Sequence, residues 1–468
     1  MSAAAPIRPE RVDTIIAGAV IVTMDAQRRI YGDGTLAIQG DRIAAVGTRQ
    51  ELAGRFEAKE VIDGSRFVIT PGFVDAHIHI TGDPLTRGYV PDDIDEAFGE
   101  KLARWVIPRF LAQNPDDERL SAQLAALQML RSGTTCFLEA GTIRHLDAVV
   151  EGLNSSGIRG RVGVWVEGRD AAAAPHDTSA SDAAIRTLEE EVGRYPANRG
   201  ARIAAWPLLV GHATNTDAVW RAAKSIADSN DLGVSAHMSP FRADTEWYLE
   251  HVGRHPIEHL AHIGVLGDRL ALTHLTHLSR AEVQLLAQSH TNAIFCPSAA
   301  LRGAFGVSVT GRFPELHAAG VNIALGTDGD LPDLMRQMPL GAAVFKDARR
   351  DARIFPAHEV LDMAIAGGAR LLRLHEQIGS LATGRKADLV LHDTQRPEWQ
   401  PLLNALHQLV WSADGRGVHS VWVDGVRVVD NYRCTLLDEE EIYRKSRRAA
   451  RELLQRSGVP ARCAWPMA

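Results

Sequence analysis

The sequence predicts an α/β protein in which a distorted (β/α)8 barrel is inserted into a small composite β-sandwich. Two observations predict this fold. From Pro71 to about Leu374, compact apolar runs alternate with helix-compatible stretches, which is the pattern of a parallel sheet covered by helices. On both sides of this region the chain consists of short β-rich pieces broken by Gly and Asp, a texture typical of hairpins.

The strand-like runs of the central region number eight, the count of a (β/α)8 barrel. They are the run ending at His79, then TTCFLE, RVGVWVE, RIAAWPLLV, LGVSAH, LALTH, NAIFCP and VNIALGTD. Helix-compatible stretches such as DERLSAQLAALQMLRSG and DAVWRAAKSIADSN follow most of them. We therefore expect parallel strands whose carboxyl ends meet at one face of the barrel.

The flanking segments divide the chain into four parts. TIIAGAVIVTM, TLAIQG, RIAAVG and RFVIT precede the barrel, and ADLVLHD, GVHSVWVDG and VRVVDN follow it. We assign residues 1–70 and 376–434 to the sandwich, residues 71–375 to the barrel and residues 435–468 to a helical tail. Residues 168–182 are small and polar, so we expect a mobile loop there.

Composition limits the partners of the chain. Its net charge of −7 comes from 58 acidic and 51 basic residues without a basic run, which argues against nucleic acid. The four cysteines form no C-x-x-C pair, which favours a reducing compartment. The longest apolar run is about half of a membrane span. We expect a cytoplasmic protein that acts on a small molecule.

Histidines and one aspartate mark the ends of several barrel runs. His77 and His79 share a strand face, because residues two apart in a strand point to the same side. His237, His274 and Asp328 close three later runs, at the face where barrels carry their chemistry. Imidazoles with one carboxylate suit zinc or ferrous iron. We predict one divalent ion per chain, zinc first, with Fe²⁺, Co²⁺ or Mn²⁺ as alternatives.

Seven blocks of the sequence carry a family resemblance. They are PGFVDAHIH, SGTTCF, HPIEHLAHIGVLGDRLALTHLTHLS, FCPS, AAGVNIALGTDG, LDMAIAGGARLL and IGSLATGRKADLVLHD. Together they resemble the amidohydrolase superfamily, in the branch of chlorohydrolases and nucleobase or S-adenosylhomocysteine-type deaminases, from about residue 13 to about 430. The resemblance implies a barrel with a composite β-sandwich, and a homodimer or larger homo-oligomer.

The resemblance also implies roles for single residues. A mononuclear metal ion would be held by four of them: His77, His79, His237 and Asp328. His274 would lie beside the metal and handle the substrate oxygen or leaving group. Because a bound divalent ion lowers the pKa of water from about 15.7 to roughly 7, hydroxide would attack the substrate. Asp328 would take the water proton and deliver it to the leaving group.

Other ligand candidates have weaker support. His277 lies three residues after His274 and therefore on another strand face, so we expect a structural role. The near-helical cluster of His251, His255, His259 and His262 matches a packing helix of the family. Dinuclear relatives use a carboxylated lysine at a strand end, which none of the six lysines fits. Glu139 and Cys136 remain alternative bridges to a second ion.

The sequence departs from the deaminase pattern at the fifth run. Where deaminases of this branch carry a glutamate that protonates the substrate ring, three residues after His237, this chain has Pro240. The block after the seventh run also lacks their asparagine and reads CPSAALRG. We therefore expect hydrolysis of an amide, urea or (thio)carbamate C–N bond in a small aromatic or N-alkyl compound, as in herbicide-degrading phenylurea and thiocarbamate hydrolases of this branch.

Two alternatives stay open. The protein could be a deaminase or dechlorinase of a nucleobase- or triazine-like ring that recruits another acid, such as Glu139 or Glu246, or an inactive scaffold. Glu139 is also a candidate substrate contact, together with Trp165 and Phe305. Four aromatic residues lie near strand ends or in loops, where they would line an apolar pocket: Trp105, Trp165, Trp206 and Phe305.

Overall fold

The structure is a computed structural model that describes residues 9–94, 96, 98–169, 178–197, 201–329, 331–463 and 465. One sheet combines strands from both ends of the chain. Its N-terminal strands are β1 (Glu10–Val22), β2 (Ile30–Gln39), β3 (Arg42–Thr48), β4 (Phe56–Asp63) and β5 (Phe67–Pro71).

The barrel strands follow in the chain. They are β6 (Phe73–Ile78), β7 (Thr134–Glu139), β8 (Arg159–Val162), β9 (Ile203–Ala205), β10 (Leu208–Gly211), β11 (Val234–Met238), β12 (Leu270–His274), β13 (Asn292–Phe295) and β14 (Ile323–Leu325). The C-terminal strands then return to the first sheet: β15 (Leu389–Asp393), β16 (Val418–Val423), β17 (Val426–Asp430) and β18 (Arg433–Cys434).

The first sheet runs β18-β17-β16-β15-β5-β1-β2-β3, and β4 pairs with β1. Antiparallel pairing of β5 with β15 joins the two ends of the chain, as the sandwich prediction requires. The expectation of hairpins holds for β1, β2 and β3 but is wrong for β4 and β5, which pair with β1 in parallel. A buried cluster that includes Ile16, Leu36, Ile69, Leu389 and Trp422 fills this module.

The barrel strands form two parallel sheets, β6-β7-β8-β9 and β10-β11-β12-β13-β14. The run RIAAWPLLV, predicted as one strand, is divided into β9 and β10 at Trp206 and Pro207. Proline has no backbone N–H for a strand ladder, which accounts for the break. Each half of the divided run pairs with a different sheet, so this segment joins them.

The other seam between the two sheets lies at the carboxyl ends of β6 and β14. The backbone N–H of Asp328 donates to the carbonyl of His77 over 2.8 Å, and that of His79 donates to the carbonyl of Asp328 over 3.2 Å. Backbone pairing therefore fixes the predicted metal ligands of the first and last strands relative to each other. The predicted fold class, a barrel with a β-sandwich, is confirmed; the domain boundaries stay predictions.

The described part of the chain also contains α-helices, most of them in the region of the barrel strands. They are α1 (Arg49–Leu52), α2 (Phe98–Lys101), α3 (Ile107–Leu111), α4 (Pro115–Arg131), α5 (Leu146–Ser156), α6 (Ser179–Arg194), α7 (Asp217–Asn230), α8 (Arg242–His251), α9 (Pro256–His262), α10 (Arg280–Ser289), α11 (Pro297–Arg302), α12 (Val307–Thr310), α13 (Phe313–Ala318), α14 (Leu334–Arg349), α15 (Ala357–Asp362), α16 (Gly368–Leu371), α17 (Ala405–Trp411) and α18 (Glu439–Ser457). Both stretches predicted as helices, α4 and α7, are present.

Local sequence explains where the long helices begin. Asn114 accepts a hydrogen bond from the backbone N–H of Asp117 and Pro115 occupies the first turn of α4, which together form a strong helix start.

The predicted tail helix is α18, and Leu453 is among its buried residues. Residues 170–177 of the predicted loop lie outside the described residues. No helix in the described part of the chain is long and apolar enough to cross a bilayer.

A buried ion cluster joins the barrel to the sandwich. Arg159 of β8 donates to Asp388, just before β15, over 3.2 Å and to Asp424 over 2.6 Å. Burial would lower the pKa of Arg159, but the two carboxylates hold it above its usual value. The pair is buried on both sides, where removal of one partner is costly.

Candidate active site

The five residues predicted at the strand ends lie together in the structure. His77 belongs to β6, His237 to β11 and His274 to the last position of β12, while His79 and Asp328 follow β6 and β14. His274 and Asp328 have φ angles of 81° and 61°, in the left-handed region that non-glycine residues rarely adopt. Such backbone strain is common where side chains are held for function.

Hydrogen bonds orient two of the imidazoles. The Nδ1 of His237 donates to the backbone carbonyl of Val210 over 2.8 Å, which leaves its Nε2 as a lone-pair donor. The Nδ1 of His77 lies 3.0 Å from the hydroxyl of Thr273, and its buried Nε2 has no protein partner. Metal-binding histidines are typically held in this way through their second nitrogen.

The donor set fits a divalent cation. The Nε2 of His79 lies 3.1 Å from Asp328, and the Nε2 of His274 lies 3.8 Å from the other oxygen of that carboxylate. Donor atoms of His77, His237 and His274, and those of His77, His79 and Asp328, lie within 4.8 Å of one another. Several buried imidazole nitrogens and one carboxylate converging without other partners make a typical zinc-type donor set.

The pKa values of three of the four imidazoles suit metal binding, which requires a neutral ring. Burial lowers the pKa of His77 and His237 well below the usual value and that of His274 to about 4, so these imidazoles are neutral near pH 7. Burial would also lower the pKa of His79, but the adjacent Asp328 raises it to about 9. Burial would raise the pKa of Asp328, yet its hydrogen bond to His79 holds it well below the usual range.

A thiol not predicted as a ligand lies beside the cluster. Cys296 has its sulfur within 4.8 Å of donor atoms of His274 and Asp328. Burial raises its pKa well above the usual value, and the neutral thiol is a poor metal ligand. Cys136, considered as a bridge, is buried in β7 and belongs to none of the metal-type groups found among the described residues.

A buried carboxylate lies behind the ligands. Asp75 of β6 accepts hydrogen bonds from the backbone N–H of His77 over 3.2 Å, and from the N–H and hydroxyl of Thr327 over 3.1 and 2.5 Å. Burial raises the pKa of Asp75 to about 7. Because Thr327 precedes Asp328, one side chain fixes the backbone on both sides of the seam.

Glu139 ends β7 and is fully buried. Its two oxygens accept hydrogen bonds from the backbone of Gly141, at 2.6 Å, and from the N–H and hydroxyl of Thr142. Burial raises its pKa to about 7. These contacts hold the turn after β7, and the roles of substrate contact or replacement acid stay predictions.

Aromatic rings surround the cluster. Phe305 packs edge-on against the ring of His274 at 5.4 Å and against Phe241 at 4.5 Å. Trp165 packs edge-on against Phe110 at 6.3 Å, and Phe110 lies 6.1 Å from the ring of His79. Trp165 and Phe305 were singled out from the sequence.

The other two predicted pocket residues, Trp105 and Trp206, are buried. Trp206 is buried against Gly233, which precedes β11 and therefore lies at the strand ends opposite the metal ligands, so its predicted place in a pocket beside them is wrong. Trp105 is 3% exposed, and its carbonyl accepts a hydrogen bond from Arg109.

Sequence reasoning missed a histidine–aspartate pair next to the ligands. The Nδ1 of His212, which follows β10, lies 2.6 Å from a carboxylate oxygen of Asp244 in α8, and its ring stacks on His237 at 5.6 Å. The same oxygen of Asp244 accepts the backbone N–H of Ser239 over 3.1 Å. His212 ends a strand run as the predicted ligands do, a signal present in LLVGH.

His277 and His259 have structural contacts. The Nε2 of His277 lies 3.1 Å from the carbonyl of Phe305. In the helical cluster, His259 lies 2.8 Å from Asp217. The metal-type groups found among the described residues include neither histidine.

The fold and this cluster together define a barrel protein with a metal-type centre at the carboxyl ends of its strands. The chain matches the model of the amidohydrolase family over residues 68–428 and belongs to that family. It is thus an enzyme of the hydrolases that act on carbon–nitrogen bonds.

Two relatives of similar sequence are named as deaminases. A 5-methylthioadenosine/S-adenosylhomocysteine deaminase of Syntrophobacter fumaroxidans is 31% identical over 449 residues, which cover 95% of this chain and 99% of that protein. The corresponding enzyme of Desulforudis audaxviator is 33% identical, covering 90% and 95%. Relatives of this kind place the chain with C–N hydrolases without identifying its substrate.

Two solved structures of similar fold are described with bound zinc. A zinc-bound adenosine deaminase from Xanthomonas campestris has a TM-score of 0.84 and 26% identity, covering 96% of this chain and all of that one. Atrazine chlorohydrolase from Arthrobacter aurescens, complexed with zinc, also has a TM-score of 0.84. It is 21% identical, covers 93% and 100% of the two chains, and supports the fold alone.

Proposed function

We propose that this amidohydrolase cleaves the C–N bond of an amide, urea or carbamate and releases an amine. The observation that carries the proposal is Pro240, which stands three residues after His237 where deaminases of this branch have a proton-donating glutamate. A carbonyl substrate needs an activated water and a group that stabilises negative oxygen, but no protonated ring nitrogen.

The nearest carboxylates offer no simple replacement for the missing acid. Asp244 is bonded to His212 and Ser239, and both oxygens of Glu139 accept hydrogen bonds from the turn after β7. Glu246, the other acid considered, lies 3.1 Å from Arg242 and is largely exposed. Each would have to give up an existing contact to protonate a ring.

The metal ion would be held by His77, His79, His237 and Asp328, and we propose zinc. Bound there, it would act as a Lewis acid that lowers the pKa of water toward roughly 7. Support comes from the convergence of these donors and from the zinc bound in the adenosine deaminase structure of similar fold.

The protein's own residues account for the proton and charge transfers. The Asp328 carboxylate accepts one proton from water, whose oxygen bonds to the carbonyl carbon. His274, 3.8 Å from Asp328, stabilises the negative charge that develops on the carbonyl oxygen. When the C–N bond breaks, Asp328 returns its proton to the nitrogen, so that an amine and an acid leave.

A second candidate is an aminohydrolase, favoured by the activity of the deaminase relatives. A single preparation of zinc-loaded enzyme distinguishes the two candidates when it is tested on anilides, phenylureas, carbamates and 5-methylthioadenosine. Amine and ammonia are quantified separately, and kcat/KM is compared. We expect amine release from acyl substrates to exceed nucleoside deamination. Efficient deamination without acyl turnover would overturn the proposal.

A matched variant tests whether Pro240 is the reason that this enzyme prefers acyl hydrolysis to deamination. Pro240→Glu restores an acid at the deaminase position, and we expect it to raise ammonia release relative to amine release. Asp328→Asn, which lacks the proton-transferring carboxylate, is expected to abolish both.

The cytoplasmic location and the homo-oligomeric state stay predictions.

A further inference from the structure

The four aromatic rings near the cluster form two separate pairs. In the first pair, Phe110 of α3 is 4% exposed and lies against His79. Trp165, three residues after the end of β8, packs edge-on against the ring of Phe110 and is half-buried. This pair belongs to the half of the barrel that contains β6 to β9.

The second pair lies in the other half. Phe241 follows β11 and Phe305 follows β13, and both rings are half-buried. Phe305 contacts His274, the residue beside the metal ligands, with an interplanar angle of 86°. The strands that carry this pair belong to the sheet of β10 to β14.

The imidazole cluster lies between the pairs. The ring of His237 is 5.6 Å from that of His79, which Phe110 contacts, and also 5.6 Å from that of His274, which Phe305 contacts. A scissile group at the cluster would therefore have one aromatic pair beside each of its two substituents. Aromatic pairs of this geometry favour a third ring packed edge-on or offset.

We propose that the enzyme has two independent apolar subsites, one at Phe110 and Trp165 and one at Phe241 and Phe305. Each takes one apolar ring of a substrate that is substituted on both sides of its C–N group. This inference rests on the proposed function, because it assumes an acyl and an amine half on either side of the scissile bond. It makes a diaryl amide or diarylurea a better substrate than a nucleoside, whose sugar is polar.

The test uses four amides that differ only in their rings: N-methylacetamide, acetanilide, N-methylbenzamide and benzanilide. Burial of one phenyl ring should raise kcat/KM on the order of 10- to 100-fold over N-methylacetamide. If the subsites are independent, the effects of the two rings in benzanilide multiply.

Variants assign each ring to a subsite. Trp165→Ala should remove most of the gain from one ring and Phe305→Ala most of the gain from the other. Trp165→Phe and Phe305→Leu keep an apolar side chain and should retain much of the gain, and they guard against misfolding. Trp411→Ala, at a half-exposed residue that ends α17, serves as the control.

Two results would overturn the subsites: ring-bearing amides no better than N-methylacetamide, or both alanine variants reducing the gain from the same ring. Failure of the proposed function is recognised separately, as no hydrolysis of any of the four amides. Calorimetric binding of the same compounds to the zinc-loaded enzyme then decides. The subsites are supported if each ring increases the affinity and each alanine variant loses the increase from one ring only. They are refuted if the four compounds bind with the same affinity.

Discussion

Replacement of Asp75 by alanine should lower both the stability of the fold and the affinity for metal, because this carboxylate holds the backbone beside two predicted ligands. The carboxylate accepts hydrogen bonds from three donors. In the variant the N–H of Thr327 keeps a second acceptor, the carbonyl of His77 at 3.0 Å. The N–H of His77 and the hydroxyl of Thr327 lose the acceptor they have in the structure.

The magnitude follows from those two donors. Each buried donor left without a partner costs about 1–3 kcal/mol, so the free energy of unfolding should fall by about 2–6 kcal/mol. The loss tends toward the lower value because the buried carboxyl, whose pKa is raised to about 7, itself carries a cost of burial. Because Asp75 holds both His77 and the residue before Asp328, metal affinity should fall about 10- to 100-fold.

The assay compares Asp75→Ala with Asp75→Asn, which keeps one carbonyl oxygen as acceptor. Urea unfolding gives the stability, and competition with a chelator gives the zinc affinity. We expect Asp75→Asn to lie between the wild-type protein and Asp75→Ala in both measurements. An alanine variant with unchanged midpoint and unchanged zinc affinity would refute the role of Asp75 in holding the seam.

Three further changes test the site and the fold. His77→Ala or His237→Ala should remove zinc and activity while circular dichroism shows a folded barrel; a full equivalent of zinc with normal turnover would show that the ligand is misassigned. His274→Asn should lower kcat on the order of 100- to 1,000-fold with zinc retained, and parallel loss of zinc would make it a ligand. Arg159→Met leaves the buried carboxylate of Asp388 without its cation and should reduce the free energy of unfolding by about 3–5 kcal/mol, measured in urea against Arg462→Met at the surface.

The sequence was sufficient for the features that depend on strand periodicity. His77, His79, His237 and His274 each end or follow an apolar run, so their convergence could be predicted from the barrel alone. Asp328 lies three residues after β14, and its place follows from the pairing at the seam.

Features that depend on contacts between distant elements were out of reach. Asp244 lies in α8 and meets His212, 32 residues earlier in the chain, after a turn in which Ser239 has a left-handed φ of 52°. The break of the fourth run at Pro207 could have been predicted from the sequence, since proline lacks the backbone N–H that pairing between strands requires. The partner of Arg159, more than 200 residues away, has no local signal.

Because β5 pairs with β15, the sandwich depends on two segments separated by more than 300 residues. At a synthesis rate of 5–20 residues per second, β5 leaves the ribosome roughly 15 to 65 s before its neighbour. During that interval its edge is open to other nascent chains. We therefore expect the barrel to fold first during translation, and the N-terminal strands to depend on chaperones until the last part of the chain emerges.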